Sequence, residues 1–138
     1  RKAARMGLRL AVRINGTSDL SGLAYNMVSR FPSVTFYDYT KHPEPARREW
    51  DNYSLTFSRS ESNEAAMYEA LASGVNVAVV FNTRKGKALP ATWNSLPVID
   101  GDAHDLRFLD PRTPHGIIIG LRAKGRARKD TSGFVVNL

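Results

Sequence analysis

Two hydrophobic periods take turns along this chain, and that alternation restricts its fold more than anything else. Short runs rich in β-branched and aromatic residues stand at 8–14 (LRLAVRI), 34–39 (VTFYDY), 53–57 (YSLTF), 75–81 (VNVAVVF), 97–100 (PVID) and 116–123 (GIIIGLRA), and GFVVNL closes the chain. Bounded by turn residues, such runs predict strands. VAVVF and GIIIGL lack a polar face, as strands do when a parallel sheet is covered on both sides. Between them the period changes. Leu20, Leu23, Ala24, Met27, Val28 and Phe31 form one helical stripe, with Thr17 or Ser18 available to cap it. HPEPARREW carries Pro43 and Pro45 near a helix start, and NEAAMYEALASG runs from Asn63 as N-cap to Gly74 as terminator.

The order β-α-β-α-β-α-β, followed by looser connections, predicts an α/β fold: a mostly parallel sheet of about six strands with alternating helices. Strand starts recur at the spacing of βα units, but the 138 residues fall short of the roughly 250 of a closed barrel. The expectation is one domain over 1–138, either partial (β/α) barrel-like or an open sheet. No apolar run approaches the roughly 18 residues of a membrane span, and no signal peptide is visible. The chain has no cysteine, which excludes disulfides, thiolate metal sites and a cysteine nucleophile within it and fits a cytoplasmic setting. It starts at Arg1 in basic, alanine-rich sequence that reads as the end of a helix, so it is expected to be the C-terminal part of a longer protein.

In parallel α/β sheets, ligands bind at the carboxyl ends of the strands. The residues after each strand therefore become the site candidates. They are Asn15, Thr17, Ser18 and Asp19; Asp38 and Lys41; Ser58, Arg59, Ser60 and Glu61; Asn82; Asp100 and Asp102; and Lys124. Polarity begins inside the strands at Asp38 and Asp100, and a carboxylate placed there needs a partner or a task. TFSRSESN and NGTSD, each ahead of a helix, suit either an anion cradle or plain capping. Neither matches a P-loop or a dinucleotide fingerprint, and no G-x-S-x-G elbow is present.

PVIDGDAHDLRFLDP concentrates Asp100, Asp102, His104, Asp105 and Asp110. Counted from Asp100, it fails as a calcium loop: His104 stands at position 5, Asp105 replaces the glycine and Pro111 the final glutamate. Zinc would need ligands from elsewhere. Magnesium through Asp100 and Asp102 is the more economical metal reading, and an aspartate-held turn is the plain structural one. Asp38, Asp100, Asp102 and His104 are the acid/base candidates. His42 and His115 read as a residue leading into a helix and a turn residue.

The net charge of +7 concentrates at the start and in LRAKGRARKD, with a further basic loop in NTRKGKALP. Such a balance favours anionic partners such as nucleic acid, nucleotides or phosphates, with solvated surface as the plain alternative. The aromatic residues Tyr37, Tyr39, Trp50 and Trp93 read as core packing.

AVRINGTSDL, FPSVTFYDYTK, YSLTFSRSESN, GVNVAVVF and VIDGDAHDLRFLDP, followed by GIIIGLRAKGRARKD and GFVV, fall in an order that resembles an uncharacterised phage and plasmid family similar to gene product 88. The resemblance covers nearly the whole chain and implies no reaction. It also implies an upstream cysteine-containing segment in longer relatives, so an iron-sulfur or zinc role would belong to that segment. Three functional readings follow. An enzyme-like site at the strand ends binds an anionic ligand; or basic loops bind nucleic acid without chemistry; or the chain is a truncated half-barrel whose function needs a missing N-terminal segment.

Overall fold

The computed structural model describes residues 2–46 and 50–138. In chain order the elements are α1 (Lys2–Arg5), β1 (Ala11–Val12), α2 (Ser21–Arg30), β2 (Thr35–Thr40), α3 (Pro43–Ala46), β3 (Tyr53–Ser58), α4 (Glu64–Ala72), β4 (Val77–Phe81), β5 (Thr92–Trp93), β6 (Leu96–Asp100), β7 (Ile118–Arg122) and β8 (Val135–Val136). Two 3-10 turns lie at Arg107–Leu109 and Gly125–Lys129. The rest of the helix expected after Pro45, residues 47–49, lies outside the described residues.

The strands form one eight-stranded sheet in the order β1-β2-β3-β4-β7-β6-β5, with β8 also on β4. Every pairing is parallel except the β5–β6 hairpin. Of the two expected layouts, the open sheet is the one adopted: among the described residues β1 and β5 are free edges. The partial-barrel expectation survives only in the strand order, since β1 to β4 are neighbours in sequence and in space.

Alternation along the strands explains the two faces. Phe36 and Tyr53 pack with Ala24 and Val28 of α2, and Phe57, Val77, Val79 and Phe81 pack with Met67, Ala70 and Leu71 of α4. The register pairs Phe36 with Tyr53 and Phe57 with Val77, so both helices cover the same face. Each buried phenylalanine contributes about 1.5–3 kcal/mol. On the other face Tyr37 meets Phe108 of the first 3-10 turn, ring centroids 5.5 Å apart. Trp93 packs edge-on against Phe81, as core packing requires.

Several local expectations are corrected. The strand expected over 8–14 shortens to two residues, because β1 has a partner on one side only. Met6, Leu8 and Leu10 beside it, with Leu20, Leu23 and Phe31 of the helical stripe, remain exposed. Neither Thr17 nor Ser18 caps α2; the loop is held instead by Asn15, whose Oδ1 accepts from Ser18 Oγ at 2.8 Å and Leu20 N at 3.2 Å. Asn63 precedes α4 without capping it and closes the loop behind: it accepts from Ser60 N and donates to Ser58 O. The extra hairpin strand β5 turns through Asn94 and Ser95, both with positive φ, as a two-residue hairpin requires.

Gly74 does end α4, at φ +79°, with Gly74 N on Leu71 O and Val75 N on Ala70 O. The chain then returns at Gly116, whose amide donates to Leu71 O and where a Cβ would lie 2.0 Å from Val75 O. Gly116→Ala is therefore expected to lower the unfolding free energy by about 3 kcal/mol. Gly22→Ala, with nothing within 4 Å inside α2, should raise it by about 0.5–1 kcal/mol. Urea denaturation of both variants checks the pair.

Candidate functional site

The central strand β4 has β7 along one edge, and its other edge is shared. β3 pairs only with its first half, through Val77 and Ala78, and β8 takes Val80 and Phe81. The sheet is thus forked where β3 ends at Ser58. Over this fork, on the face away from α2 and α4, lies a cavity of about 560 Å³ whose polar rim includes Arg13, Tyr39, Ser58, Asp102, His104 and Lys124. A smaller recess of about 180 Å³ continues it past Arg13, Tyr39 and Ser58 to the loop at 15–19 and Lys41.

Segment 101–110 roofs one side of the cleft. Arg107 is fully buried and donates through Nη2 to Gly101 O at 3.0 Å and to His104 O, while its Nε lies 3.3 Å from Asp110 Oδ2. Burial pushes the Asp110 carboxyl above its ordinary value, against the pull of Arg107. Asp105 accepts from Tyr39 Oη at 3.2 Å and from Arg13 at 3.4 Å, and the Arg13 guanidinium stacks 4.7 Å from the Tyr39 ring centroid. Burial, with Asp105 beside it, pushes the Tyr39 phenol up to about 12.

Arg122 anchors the opposite wall. Its guanidinium donates to Asp100 Oδ2 and Asp102 Oδ2, each at 2.9 Å, and to Lys87 O at 2.8 and 3.0 Å. Lys124 Nζ reaches Asp102 Oδ1 at 2.7 Å. The Arg122 hydrogen bonds hold Asp100 below its ordinary value. Burial opposes ionisation of Asp102, but bonds from Lys124 and from the Arg122 amide and guanidinium outweigh it and lower its pKa as well.

The sequence candidates separate into groups. Asn15, Thr17, Ser18, Asp19, Lys41 and Ser58 line the recess, and Ser58, Asp102, His104 and Lys124 line the main cavity. Asp19 accepts from Thr40 Oγ1 and Lys41 N. Asp38 lies behind the cleft, wholly buried on the helix face, and accepts from Asn15 N at 2.8 Å and Tyr53 Oη at 3.0 Å. Burial raises its pKa against those donors. Asp100 has its carboxylate on Arg122 at the cleft's edge and is not among the lining residues.

Arg59 turns to the C-terminal segment and donates to Gly133 O and Phe134 O. Ser60 is buried in the loop closed by Asn63, Glu61 is exposed outside the cleft, and Asn82 belongs to a separate groove. Asp38, Arg59, Asp100 and Asp102 therefore do not converge in one pocket.

No group of three or more His, Cys, Asp or Glu side chains among the described residues is arranged to hold a metal ion. A magnesium ion on Asp100 and Asp102 would have to displace Arg122 and Lys124. No helix among the described residues is long and apolar enough to cross a membrane.

Sequence reasoning did not single out Arg13, and it named Tyr39 and Asp105 without making them site candidates, yet all three line the cavity. Strand alternation could have placed Tyr39 with Tyr37 on the face away from α2, but nothing local announces a contact between residues 13 and 105. A sequence model of the family described as Gene product 88 matches residues 1–138. No curated protein and no solved structure matches the chain.

Because Asp100 and Asp102 are held below their ordinary 3.8, the stability they contribute is complete above that pH and is lost as pH falls through their folded values. Asp38 and Asp110, raised, act in the opposite sense. Asp102→Asn is expected to cost about 2 kcal/mol at pH 7, a deficit that shrinks as pH falls through the lowered folded value of Asp102. Thermal melts of both proteins across that range measure it.

Proposed function

The chain belongs to the gene product 88 family, and from that premise and the cleft we propose an enzyme-like site that binds an anionic, phosphate-bearing small molecule at the strand C-terminal ends. The observation that carries the reading is the pair of accessible cations facing the cavity, Arg13 and Lys124. Their carboxylate partners hold them unequally. Arg13 and Asp105 are 3.4 Å apart, with the Asp105 side chain 59% exposed, a pair worth about 0–1 kcal/mol in water. A phosphate can replace Asp105 at little cost. Lys124 lies 2.7 Å from Asp102, its side chain 75% exposed, while Arg122 holds the same carboxylate at 2.9 Å, so Asp102 stays as scaffold and Lys124 still faces the cavity.

Ser58 and Tyr39 supply hydroxyls beside the bound anion, and the 15–19 loop closes the far end of the recess. His104 is the candidate acid or base, since an imidazole is the side chain suited to proton transfer near neutral pH. Asp102 orients Lys124 in this reading.

Titration with inorganic phosphate and with a nucleoside monophosphate, followed by amide chemical shifts, tests the site. Shifts should concentrate at 13–19, 39, 58 and 102–105, with millimolar affinity for phosphate. Arg13→Gln and Lys124→Gln should each weaken binding by about fivefold, while Glu61→Gln leaves it unchanged. Wild-type affinity in both cation variants would remove the reading.

A further inference from the structure

A second basic feature lies beyond the 3-10 turn Gly125–Lys129. The loop after β4 and this turn face each other across a groove of about 470 Å³, lined by Asn82, Thr83, Arg84, Lys85, Arg128 and Asn137 among others. Lys87, Arg126 and Lys129 stand next to these residues in sequence and are exposed. We propose that this groove binds the phosphodiester backbone of a nucleic acid.

The charge state of the groove differs from that of the cleft. In the cleft Arg13, Arg122 and Lys124 each face a carboxylate. Arg84, Lys85, Lys87, Arg126 and Lys129 make no ion pair among the described residues. The one carboxylate lining the groove, Asp130, is spent on its own loop: it accepts from Ser132 Oγ at 2.7 Å, Val135 N at 3.0 Å and Gly133 N at 3.2 Å. Several unneutralised cations gathered in two loops repel one another, and a polyanion relieves that repulsion while releasing its own counterions.

The groove is also built rather than loose. The Arg122 guanidinium holds Lys87 O, the Lys87 amide donates to Arg84 O, and Gly86 takes φ +80° to close that turn. On the facing side Arg128 Nε donates to Ala123 O at 3.4 Å. Thr83 Oγ1 is buried at the wall without a hydrogen-bond partner in the protein. The Asn82 and Asn137 amides bond across the floor at 3.0 Å. Hydroxyl, amide and cationic groups at different depths suit phosphates joined by sugars. A lipid surface would call for a band of apolar residues to insert, and among the groove's neighbours Leu138 is the one large exposed apolar side chain.

The groove and the cleft share one lining residue, Ala127, so the two sites fail or hold separately. The test is fluorescence anisotropy of the full chain with a labelled single strand of about 20 nucleotides, its duplex, and vesicles of phosphatidylserine and phosphatidylcholine. Binding to one of the nucleic-acid probes should weaken steeply between about 50 and 200 mM salt. The triple variant Arg84→Gln, Lys85→Gln, Arg128→Gln should lose about tenfold in affinity and about two units of the log–log salt slope. Arg13→Gln should change affinity by less than about twofold, which separates the groove from the cleft. Lys85→Gln alone, expected to cost about two- to threefold, serves if the triple variant melts early. Absent binding at about 50 mM salt, wild-type affinity in the triple and single variants, or binding to vesicles without binding to either oligonucleotide would each overturn the proposal.

Discussion

One edge of β4 carries β7, two strands divide the other, and the rest of the molecule is arranged around that fact. A strand can satisfy only one neighbour per residue on a given edge. β3 occupies the positions of Val77 and Ala78, and β8 those of Val80 and Phe81. β3 must therefore leave the sheet at Ser58, and the space between its end and β4 becomes the fork. Arg59, the residue immediately after, is pointed at the intruding strand, where it binds the carbonyls of Gly133 and Phe134. The side chain that sequence reading offered as an anion ligand thus ties the end of β3 to the segment entering β8. The cleft over the fork follows from backbone bookkeeping before any functional side chain enters.

Buried charge then fixes the walls. Asp38 is wholly inaccessible, and its carboxylate costs several kcal/mol to bury unless donors meet it. It meets Asn15 N and Tyr53 Oη, and so ties the loop after β1 to β2 and β3. Asn15 passes the constraint on by holding Ser18 and Leu20. Arg107 does the same for the opposite wall through Gly101 and His104. Asp38 and Arg107 thus shape a cleft that neither of them lines.

What the sequence made legible was whatever repeats locally. The runs of β-branched and aromatic residues located β2, β3, β4, β6 and β7, and the 3.6-period runs located α2 and α4. The α/β class and the parallel order follow from their alternation. What stayed hidden depends on distant pairing. Nothing in LRLAVRI says that only Ala11 and Val12 will find a partner, and nothing in GFVVNL says that it will divide the edge of β4. The stripe of α2 shows the limit sharply: Ala24 and Val28 are buried, whereas the larger Leu20, Leu23 and Phe31 are left exposed. The period announced an apolar face, but not how much sheet would be available to cover it. Among the site candidates, loop position after a strand picked out Asn15, Thr17, Ser18, Asp19, Lys41, Ser58, Asp102, His104 and Lys124, which line the cleft and its recess. It could not tell an accessible carboxylate from one already held by an arginine twenty residues away, as Asp100 and Asp102 are by Arg122.

Pairing also decides how the excess positive charge is divided. A carboxylate within hydrogen-bonding distance removes most of a cation's field at the range of a Debye length, about 8 Å at physiological salt. The cleft therefore presents short-range, directional donors already paired with Asp102 and Asp105. Cations whose neighbours include no carboxylate act at longer range and without fixed direction, as steering rather than recognition. Arg122 joins the two regimes. One side of its guanidinium neutralises Asp100 and Asp102, and the other holds Lys87 O and with it the loop that carries Arg84 and Lys85. A change at Arg122 would be felt on both sides at once, because the same planar group sets the charge of the cleft wall and the position of the basic loop.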